Sequence, residues 1–262
     1  LAKVLIKELQ SYKKQYAVPR KTLIDNLEEA VVEEKKIEEM DVVFLMDRFG
    51  YAKTVDVSVY ERNKEAADTE NRYILTCKNT DKICIFTNKG QMHLLKVLDL
   101  PYGKFRDKGI PIDNLSNYNS SEENFIYIIN LGAIIHSRLL FGTKTAMLKM
   151  VDGSEFDVAK RTTASTKLNE DDELLIVHAM TGEETVVMQS EKEMFLRIEA
   201  STIPEKKKGA VGVRGMKLNA GDALSNIYVL DGESEQTVEV KGKEVVLNRL
   251  RVGNRDTKGT KR

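Results

Sequence analysis

The chain has 262 residues, of which 41% are hydrophobic, so it is long enough to bury the core of one large domain or two small ones. Lys+Arg and Asp+Glu are equal at 41 each, which excludes a uniformly basic nucleic-acid-binding tail. No apolar run reaches the ~20 residues of a membrane span, and no signal peptide is visible. These totals predict a cytoplasmic protein without a membrane partner.

The N-terminal residues 1–17, "LAKVLIKELQSYKKQYA", predict a helix that ends before Pro19. The apolar residues that share one face of this helix are Val4, Leu5, Leu9, Tyr12 and Tyr16. Residues 20–26 are predicted to be extended, and the acidic stretch 27–40 is either a second short helix or a charged linker. The chain begins at Leu1 within the helical pattern, so we expect it to be a piece of a longer protein.

After residue 40 the pattern changes to short runs rich in β-branched and aromatic residues, such as "DVVFLM", "KICIFT" and "NFIYIINL". Turn-forming residues bound most of these runs, so the region 41–262 is predicted to be all-β. Cys77 and Cys84 flank the turn-like "KNTDK". A disulfide between them is conceivable, but two thiols in a chain of this length favour small core residues of a cytosolic protein.

The β-rich region also repeats. A hairpin-like turn followed by a strand that carries Lys or Arg occurs five times, at intervals of about 50 residues. The residues that mark these turns are Gly50, Gly90, Gly142, Lys192 and Gly242. Repeats of this length with about four strands are typical of propeller blades, and five copies indicate a closed or nearly closed ring.

A loop rich in Gly, Lys and Arg follows most of the hairpins, for example "EKKKGAVGVRGMKL". In a ring of blades these loops would place cations around one rim, which matches the polyphosphate backbone of a nucleic acid. Gly209, Gly212 and Gly215 would let the main chain approach closely and leave its N–H groups to phosphate oxygens. Each loop alone is better explained as an ordinary solvated turn, but the recurrence in four of the five units favours the DNA-binding interpretation.

Several segments resemble the C-terminal part of the A subunits of bacterial type IIA DNA topoisomerases, gyrase and topoisomerase IV. They are "KELQSYKKQYAVPRKTLID", "VVFLMDRFGYAKTVDVSVYE", "IFTNKGQMHLLKVLDLP", "EFDVAKRTTASTKLNEDDEL" and "GAVGVRGMKLNAGD". The resemblance implies a β-pinwheel, a propeller-like ring of about five to six four-stranded blades that exchange strands, preceded by an N-terminal helix. It implies that residues 1–40 are the terminal helix and linker of the cleavage core, and that residues 41–262 are the DNA-binding domain.

The resemblance also implies function. Such a domain binds and bends double-stranded DNA without regard to sequence and presents a DNA segment for strand passage. Its partners would be the dimer of A subunits and the ATPase B subunit, and the ATP and Mg of the parent ATP-dependent topoisomerase would lie on other domains or subunits. The fragment itself is predicted to need no cofactor and to be non-catalytic, since the family's catalytic tyrosine would lie upstream of Leu1.

One segment departs from the gyrase pattern. Gyrase A subunits carry a box, Q-R-R-G-G-K-G, in the first blade, where this chain has "VYERNKEAADTENR". Glu65, Asp68 and Glu70 stand where the box has glycines and cations, which indicates a topoisomerase IV-like protein or a divergent gyrase with weak DNA wrapping.

The predicted DNA contacts are the cations of the basic loops. They are Lys104, Arg106, Lys108, Lys160, Arg161, Lys167, Lys206, Lys207, Lys208, Arg214, Lys217, Arg255, Lys258 and Lys261, with Arg48, Lys53 and Arg62 as weaker candidates. His93, His136 and His178 lack the spacing of metal ligands, so no metal site is predicted.

The main alternative function is a propeller-like protein-interaction scaffold without DNA binding. An enzyme with its site in a central channel would need convergent His, Asp or Glu, which the repeats lack.

Overall fold

The computed structural model describes residues 2–22 and 37–262. The chain separates into two compact units, Leu1–Ile37 and Glu38–Arg262. Most of the acidic stretch 27–40, predicted as a helix or a linker, lies outside the described residues. Within the described part of the chain, no helix is long and apolar enough to cross a membrane.

The first unit contains helix α1, Ala2–Tyr16, which ends shortly before Pro19 as the sequence predicts. Its apolar stripe is exposed along its whole length, from Val4 to Tyr16. Among the residues described in this unit, the stripe therefore contributes nothing to a core.

The second unit is built from short strands, and the apolar runs of the sequence form them. The strands are β1 (Asp41–Asp47), β2 (Tyr51–Asp56), β3 (Asn71–Lys78), β4 (Lys82–Thr87), β5 (Gln91–Lys96), β6 (Ile110–Pro111), β7 (Phe125–Asn130), β8 (Arg138–Thr143), β9 (Met147–Asp152), β10 (Thr162–Ala164), β11 (Leu174–Met180), β12 (Thr185–Ser190), β13 (Met194–Glu199), β14 (Val213–Arg214), β15 (Leu224–Leu230), β16 (Thr237–Val240), β17 (Lys243–Val246) and β18 (Thr260–Lys261).

These strands form four-stranded antiparallel sheets, the blades of a β-pinwheel, as predicted. The strand orders are β3-β1-β2-β6, β10-β5-β4-β7, β11-β8-β9-β14 and β15-β12-β13-β18. We number these sheets blades 1 to 4 in that order. In each blade the fourth strand, β6, β10, β14 or β18, comes from the chain that follows the next hairpin. Each blade is thus completed by a strand from the following repeat, so backbone hydrogen bonds join neighbouring repeats.

The predicted number of five to six four-stranded blades is wrong for the described residues, which form four such sheets and one separate hairpin, β16–β17. The fifth hairpin motif, "VKGKEVVLNRL", does form this hairpin. Its following strand, β18, pairs with β13 and completes blade 4. A count of hairpins overestimates the count of complete blades because every blade borrows a strand from the next repeat.

The first repeat contains two helices where the later repeats have a basic loop. Helix α2 spans Val57–Arg62, with Asp56 as its N-cap, and α3 spans Lys64–Glu70. These helices were not predicted. They cover blade 1 through Ala67, which is fully buried with Val43, Leu45 and Val55. A third short helix, α4 (Leu131–Ile134), joins β7 to β8.

One predicted turn marker is also wrong. Gly142 lies inside β8, where a side chain would collide with Leu148 and Ile227. The turn of this hairpin contains Ala146, whose φ of 62° matches the left-handed conformation of Gly50 and Gly90 in the equivalent turns. Ala146 therefore takes the place that Gly50 and Gly90 have in the equivalent turns. Gly142 instead leaves room for core side chains that pack against β8.

Both cysteines are free and buried, as predicted for small core residues. Cys77 packs with the core that contains Phe44 and Ile85, whereas Cys84 packs with that of Phe86 and Phe141. Burial raises the pKa of Cys77 to about 11 and that of Cys84 to about 12. Both sulfurs are therefore protonated thiols at neutral pH, which is the inert state of a core cysteine.

Candidate nucleic-acid interface

Each basic loop runs along the free edge of the second hairpin strand of a blade. Isolated parallel bridges anchor the loops there, between Thr54 and Tyr102, Met150 and Glu205, and Arg197 and Val252. In blade 2 the N–H of Leu94 donates to the carbonyl oxygen of Arg161 at 2.7 Å. Backbone contacts to the second hairpin strand therefore hold all four loops, by a parallel bridge in blades 1, 3 and 4 and by the bond of Leu94 in blade 2.

Successive loops also touch one another. Asn117 Nδ2 donates to Thr162 Oγ1 at 3.0 Å, and Thr166 Oγ1 lies 3.5 Å from the carbonyl oxygen of Ala210. The N–H of Lys217 donates to the carbonyl oxygen of Thr257 at 2.9 Å. These contacts link the loops of neighbouring repeats. We call the fourteen predicted cations of these loops the basic band.

Twelve side chains of the basic band are exposed. They are Lys104, Arg106, Lys108, Lys160, Arg161, Lys167, Lys206, Lys207, Arg214, Lys217, Lys258 and Lys261. The other two, Lys208 and Arg255, are half-buried. Lys208 Nζ donates to the carbonyl oxygen of Glu155 at 2.7 Å, and Arg255 Nη1 donates to that of Arg214 at 2.9 Å. These two cations thus hold the loops in addition to any contact with a ligand.

Only loose ion pairs reduce the charge of the basic band within the described residues. Lys207 Nζ lies 3.4 Å from Glu155 Oε1, and Arg214 Nε lies 3.5 Å from Asp256 Oδ1. The Lys207 side chain is still 87% exposed. Exposed pairs of this kind contribute at most about 1 kcal/mol, so an incoming phosphate can compete for both cations.

The three weaker candidates differ in their surroundings. Lys53 is half-buried, and its ammonium donates to the carbonyl oxygens of Phe105 and Asp107. These carbonyls already accept two of its three ammonium donors, and its role as a DNA contact stays a prediction. Arg48 is exposed over the ring of Phe49, and Arg62 is exposed on α2, where its Nε donates to the carbonyl oxygen of Ser58.

Two of the three loop glycines are required by packing within the protein. A Cβ at Gly212, where φ is +105°, would lie 2.6 Å from the carbonyl oxygen of Leu148. At Gly215 a Cβ would collide with Leu148 and Met188, and the Gly215 N–H already donates to the carbonyl oxygen of Ala146. Of the three, only Gly209 has open space around its Cα. The N–H of Gly215 is therefore already engaged within the protein, and Gly212 is required for close packing on β9.

The contrast between these glycines gives a prediction. Gly212→Ala should displace the loop from β9 and destabilise the protein by about 2 kcal/mol, because it combines backbone strain with a steric clash. Gly209→Ala, three residues away, is the matched control and should change stability by less than about 0.5 kcal/mol. Urea unfolding monitored by circular dichroism measures both. Equal stability of the two variants would contradict the close packing of Gly212 on β9.

Three lysines at the tips of the hairpins, Lys89, Lys144 and Lys241, are paired with carboxylates of the protein. Glu173 accepts hydrogen bonds from Lys144 Nζ at 2.5 Å and from Lys89 Nζ at 2.9 Å, which lowers its pKa to about 2. Lys241 pairs with Glu193 at 2.6 Å. Lys89, Lys144 and Lys241 therefore tie neighbouring hairpins together through carboxylates.

The lowered pKa of Glu173 predicts an acid-sensitive contribution to stability. The carboxylate gains its lysine partners only in the folded state, so its contribution is complete above its ordinary pKa of 4.5 and is lost as the pH falls through about 2. Glu173→Gln should lower the free energy of unfolding at pH 7 by about 1 kcal/mol, since both lysines are partly solvated. Urea unfolding of both proteins between pH 7 and pH 2 should show this difference disappearing; a constant difference would contradict this role of Glu173.

Blade 2 contains a buried network that was not predicted from the sequence. Glu123 accepts hydrogen bonds from His93 Nε2 at 2.9 Å, from Thr87 Oγ1 at 2.7 Å and from the N–H of Asn119 at 3.1 Å. The other ring nitrogen of His93 lies 3.1 Å from Thr162 Oγ1 in the basic loop. The sequence does carry one signal for this network. His93 is the third residue of β5, and Lys53 and Lys149 are the third residues of β2 and β9.

The sequence of residues 137–178 and 184–231 matches the protein-family model for the DNA gyrase C-terminal domain, which is described as a β-propeller. These two stretches are the repeats that supply most of blades 3 and 4. The sequence match to this family model is confined to these two repeats.

Curated proteins that are similar to this chain match nearly its whole length. The DNA gyrase A subunit of Lawsonia intracellularis (strain PHE/MN1-00) is 27% identical over 98% of this chain and 33% of the relative. That of Staphylococcus epidermidis (strain ATCC 12228 / FDA PCI 1200) is 29% identical over 97% of this chain and 30% of the relative. The chain therefore spans about a third of the length of these relatives.

A solved structure, the C-terminal domain of DNA topoisomerase IV, superposes with a TM-score of 0.76. The match covers 86% of this chain and 73% of that domain at 22% sequence identity. At this identity the likeness concerns the fold. It supports the β-pinwheel architecture and leaves the partner to be argued from the basic band.

Proposed function

We propose that this domain binds duplex DNA through the basic band without reading its sequence, bends it, and presents a segment for strand passage by the parent topoisomerase. The observation that carries this proposal is the continuity of the basic loops, since each is held along a blade and hydrogen bonds link the segments that contain successive loops. Lysine and arginine side chains along successive blades suit phosphates, which carry no base identity. The proposed wider partners are the dimer of A subunits and the ATPase B subunit.

The first repeat supports a topoisomerase IV-like role, or that of a gyrase with weak wrapping. Residues 57–70 form helices α2 and α3, and their exposed acidic residues include Glu65, Asp68 and Glu70. Carboxylates repel phosphates, so α2 and α3 add little to a DNA path that reaches blade 1 only through the loop of residues 104–108. DNA is then bent along the basic band without being wrapped tightly.

Two measurements on the isolated domain test this proposal. Fluorescence anisotropy with two duplexes of unrelated sequence should give affinities within about three-fold of each other, both falling steeply with salt. Ligation of nicked plasmid in the presence of the domain should leave only small changes in linking number. An absence of salt-sensitive DNA binding would favour the protein-interaction scaffold, whereas strong constrained writhe would contradict the topoisomerase IV-like assignment.

A further inference from the structure

Lys149 lies at the centre of β9 and is 1% exposed, although the surrounding chain is rich in solvated lysines. Its ammonium donates to three main-chain carbonyl oxygens, those of Lys207 at 3.3 Å, Lys208 at 2.8 Å and Ala210 at 2.7 Å. An ammonium has three donors, so this set satisfies it completely. A buried charge is tolerated only when it is satisfied in this way.

The same arrangement occurs in blade 1, where Lys53 donates to the carbonyl oxygens of Phe105 and Asp107. The two loops correspond residue by residue. Gly109 and Gly212 occupy corresponding positions in the two loops. A Cβ on Gly109 would lie 2.6 Å from the carbonyl oxygen of Ala52, and a Cβ on Gly212 would lie 2.6 Å from that of Leu148. Two blades with different sequences therefore use one buried lysine to hold one loop shape, which argues against an accidental contact.

Blades 2 and 4 hold their loops with other side chains. In blade 2, His93 contacts Thr162 Oγ1 at 3.1 Å. In blade 4, Arg197 stands one position further along its strand and donates to the carbonyl oxygens of Asn248 and Leu250. Each of the four sheets thus places one nitrogen-bearing side chain against the loop beside its second hairpin strand.

We propose that Lys149 is a positioning residue for DNA binding, which fixes the loop 206–210 with its carbonyl oxygens turned toward the blade. This inference depends on the proposed function. Carbonyl oxygens carry partial negative charge and would repel phosphates if they faced outward. With three of them bound to Lys149, the outer side of the loop presents the exposed side chains of Lys206 and Lys207.

Glu155 is the carboxylate that shares this site. Its Oε2 accepts a hydrogen bond from the N–H of Lys208 at 3.0 Å, so it holds the same loop from the other side. Burial lowers the pKa of Lys149 to about 8, and the charge of Glu155 acts in the opposite direction. Lys149 therefore remains mostly protonated at pH 7, as its three acceptors require.

The test is Lys149→Met, which keeps the length of the side chain and removes the ammonium. Hydrogen exchange of the DNA-free domain, read by mass spectrometry, should show amides 206–212 exchanging about ten-fold faster or more, since several hydrogen bonds from a charged donor are lost. Strands β12 and β13 should keep their exchange rates. DNA affinity at pH 7 should fall about ten-fold although every exposed lysine is still present.

Lys167→Met is the matched control, because it removes an exposed lysine of the basic band. It should leave exchange in 206–212 unchanged and lower the salt slope by at most about 0.9. Lys53→Met should reproduce the faster exchange in residues 104–108. Unchanged exchange of 206–212 in Lys149→Met would overturn the proposal.

If Lys149→Met does not fold, Lys149→Gln, whose amide still donates two hydrogen bonds, takes its place. Global unfolding of both variants would also overturn the proposal, because Lys149 would then be needed by the whole blade rather than by the loop. If the wild-type domain binds no DNA, the proposed function fails, while the exchange data still decide whether Lys149 fixes the loop.

Discussion

Replacing Lys160, Arg161, Lys206 and Lys207 together by alanine should reduce the salt dependence of DNA binding more than any other surface change in this domain. These four side chains are exposed and belong to the loops of two neighbouring repeats. Each phosphate that is no longer neutralised lowers the slope of log K against log salt by about 0.9, so the slope should fall by about 3 to 4. Anisotropy titrations at several salt concentrations measure it.

The matched control removes the same number of cations from the hairpin tips, at Lys89, Lys144, Lys192 and Lys241. Three of these bond to Glu173 or Glu193, and Lys192 Nζ donates to the carbonyl oxygen of Ala220. Net charge changes equally in the two variants, so a general electrostatic effect would lower both slopes alike. We expect a slope change of less than about 1 for the tip variant. Equal changes would show that the position of the cations does not matter.

The largest effect on stability is expected from Glu123→Ala. Glu123 is 7% exposed, and its loss leaves the hydrogen-bond donors of His93, Thr87 and Asn119 without an acceptor. Removing the charged partner of buried hydrogen-bond donors lowers the free energy of unfolding by about 3 to 5 kcal/mol. Urea unfolding should therefore show Glu123→Ala destabilised by about 3 kcal/mol or more.

The neighbouring residue provides the control for this substitution. Glu122 is exposed, so Glu122→Ala should stay within about 0.5 kcal/mol of the wild type. Glu123→Gln, which keeps an acceptor oxygen, should fall between the two. A Glu123→Ala variant as stable as Glu122→Ala would mean that the donors find water or another acceptor, and that the network does not stabilise blade 2.

The strands could be predicted from sequence because each long one is a compact apolar run between turn residues, as "KICIFT" shows for β4. The fourth strands could not, since Ile110–Pro111, Val213–Arg214 and Thr260–Lys261 have only two residues each. Their pairing is set by contacts to another repeat. A strand of two residues shows no alternation of apolar and polar side chains, so the sequence does not reveal which repeat completes each blade. The predicted number of blades is therefore too high.

The basic band could also be predicted in part. Its exposed cations, such as Lys206 and Lys207, lie in loops that turn-forming residues mark clearly in the sequence. The role of Lys149 could not be predicted, because its acceptors lie 58 to 61 residues further along the chain and are main-chain atoms that any residue supplies. A lysine between apolar neighbours, "MLKMV", is the signal that such a contact exists, but it does not identify the partner.

The most direct test of the central claim is amine footprinting of the domain with and without duplex DNA. An acylating reagent labels exposed lysines, and mass spectrometry reports the labelling of each one. Bound DNA should protect Lys160, Lys206 and Lys207 by about ten-fold, while Lys89 and Lys241 at the hairpin tips keep their reactivity within about two-fold. Protection of the tips with an unprotected basic band, or equal protection of both, would contradict the DNA path proposed for this domain.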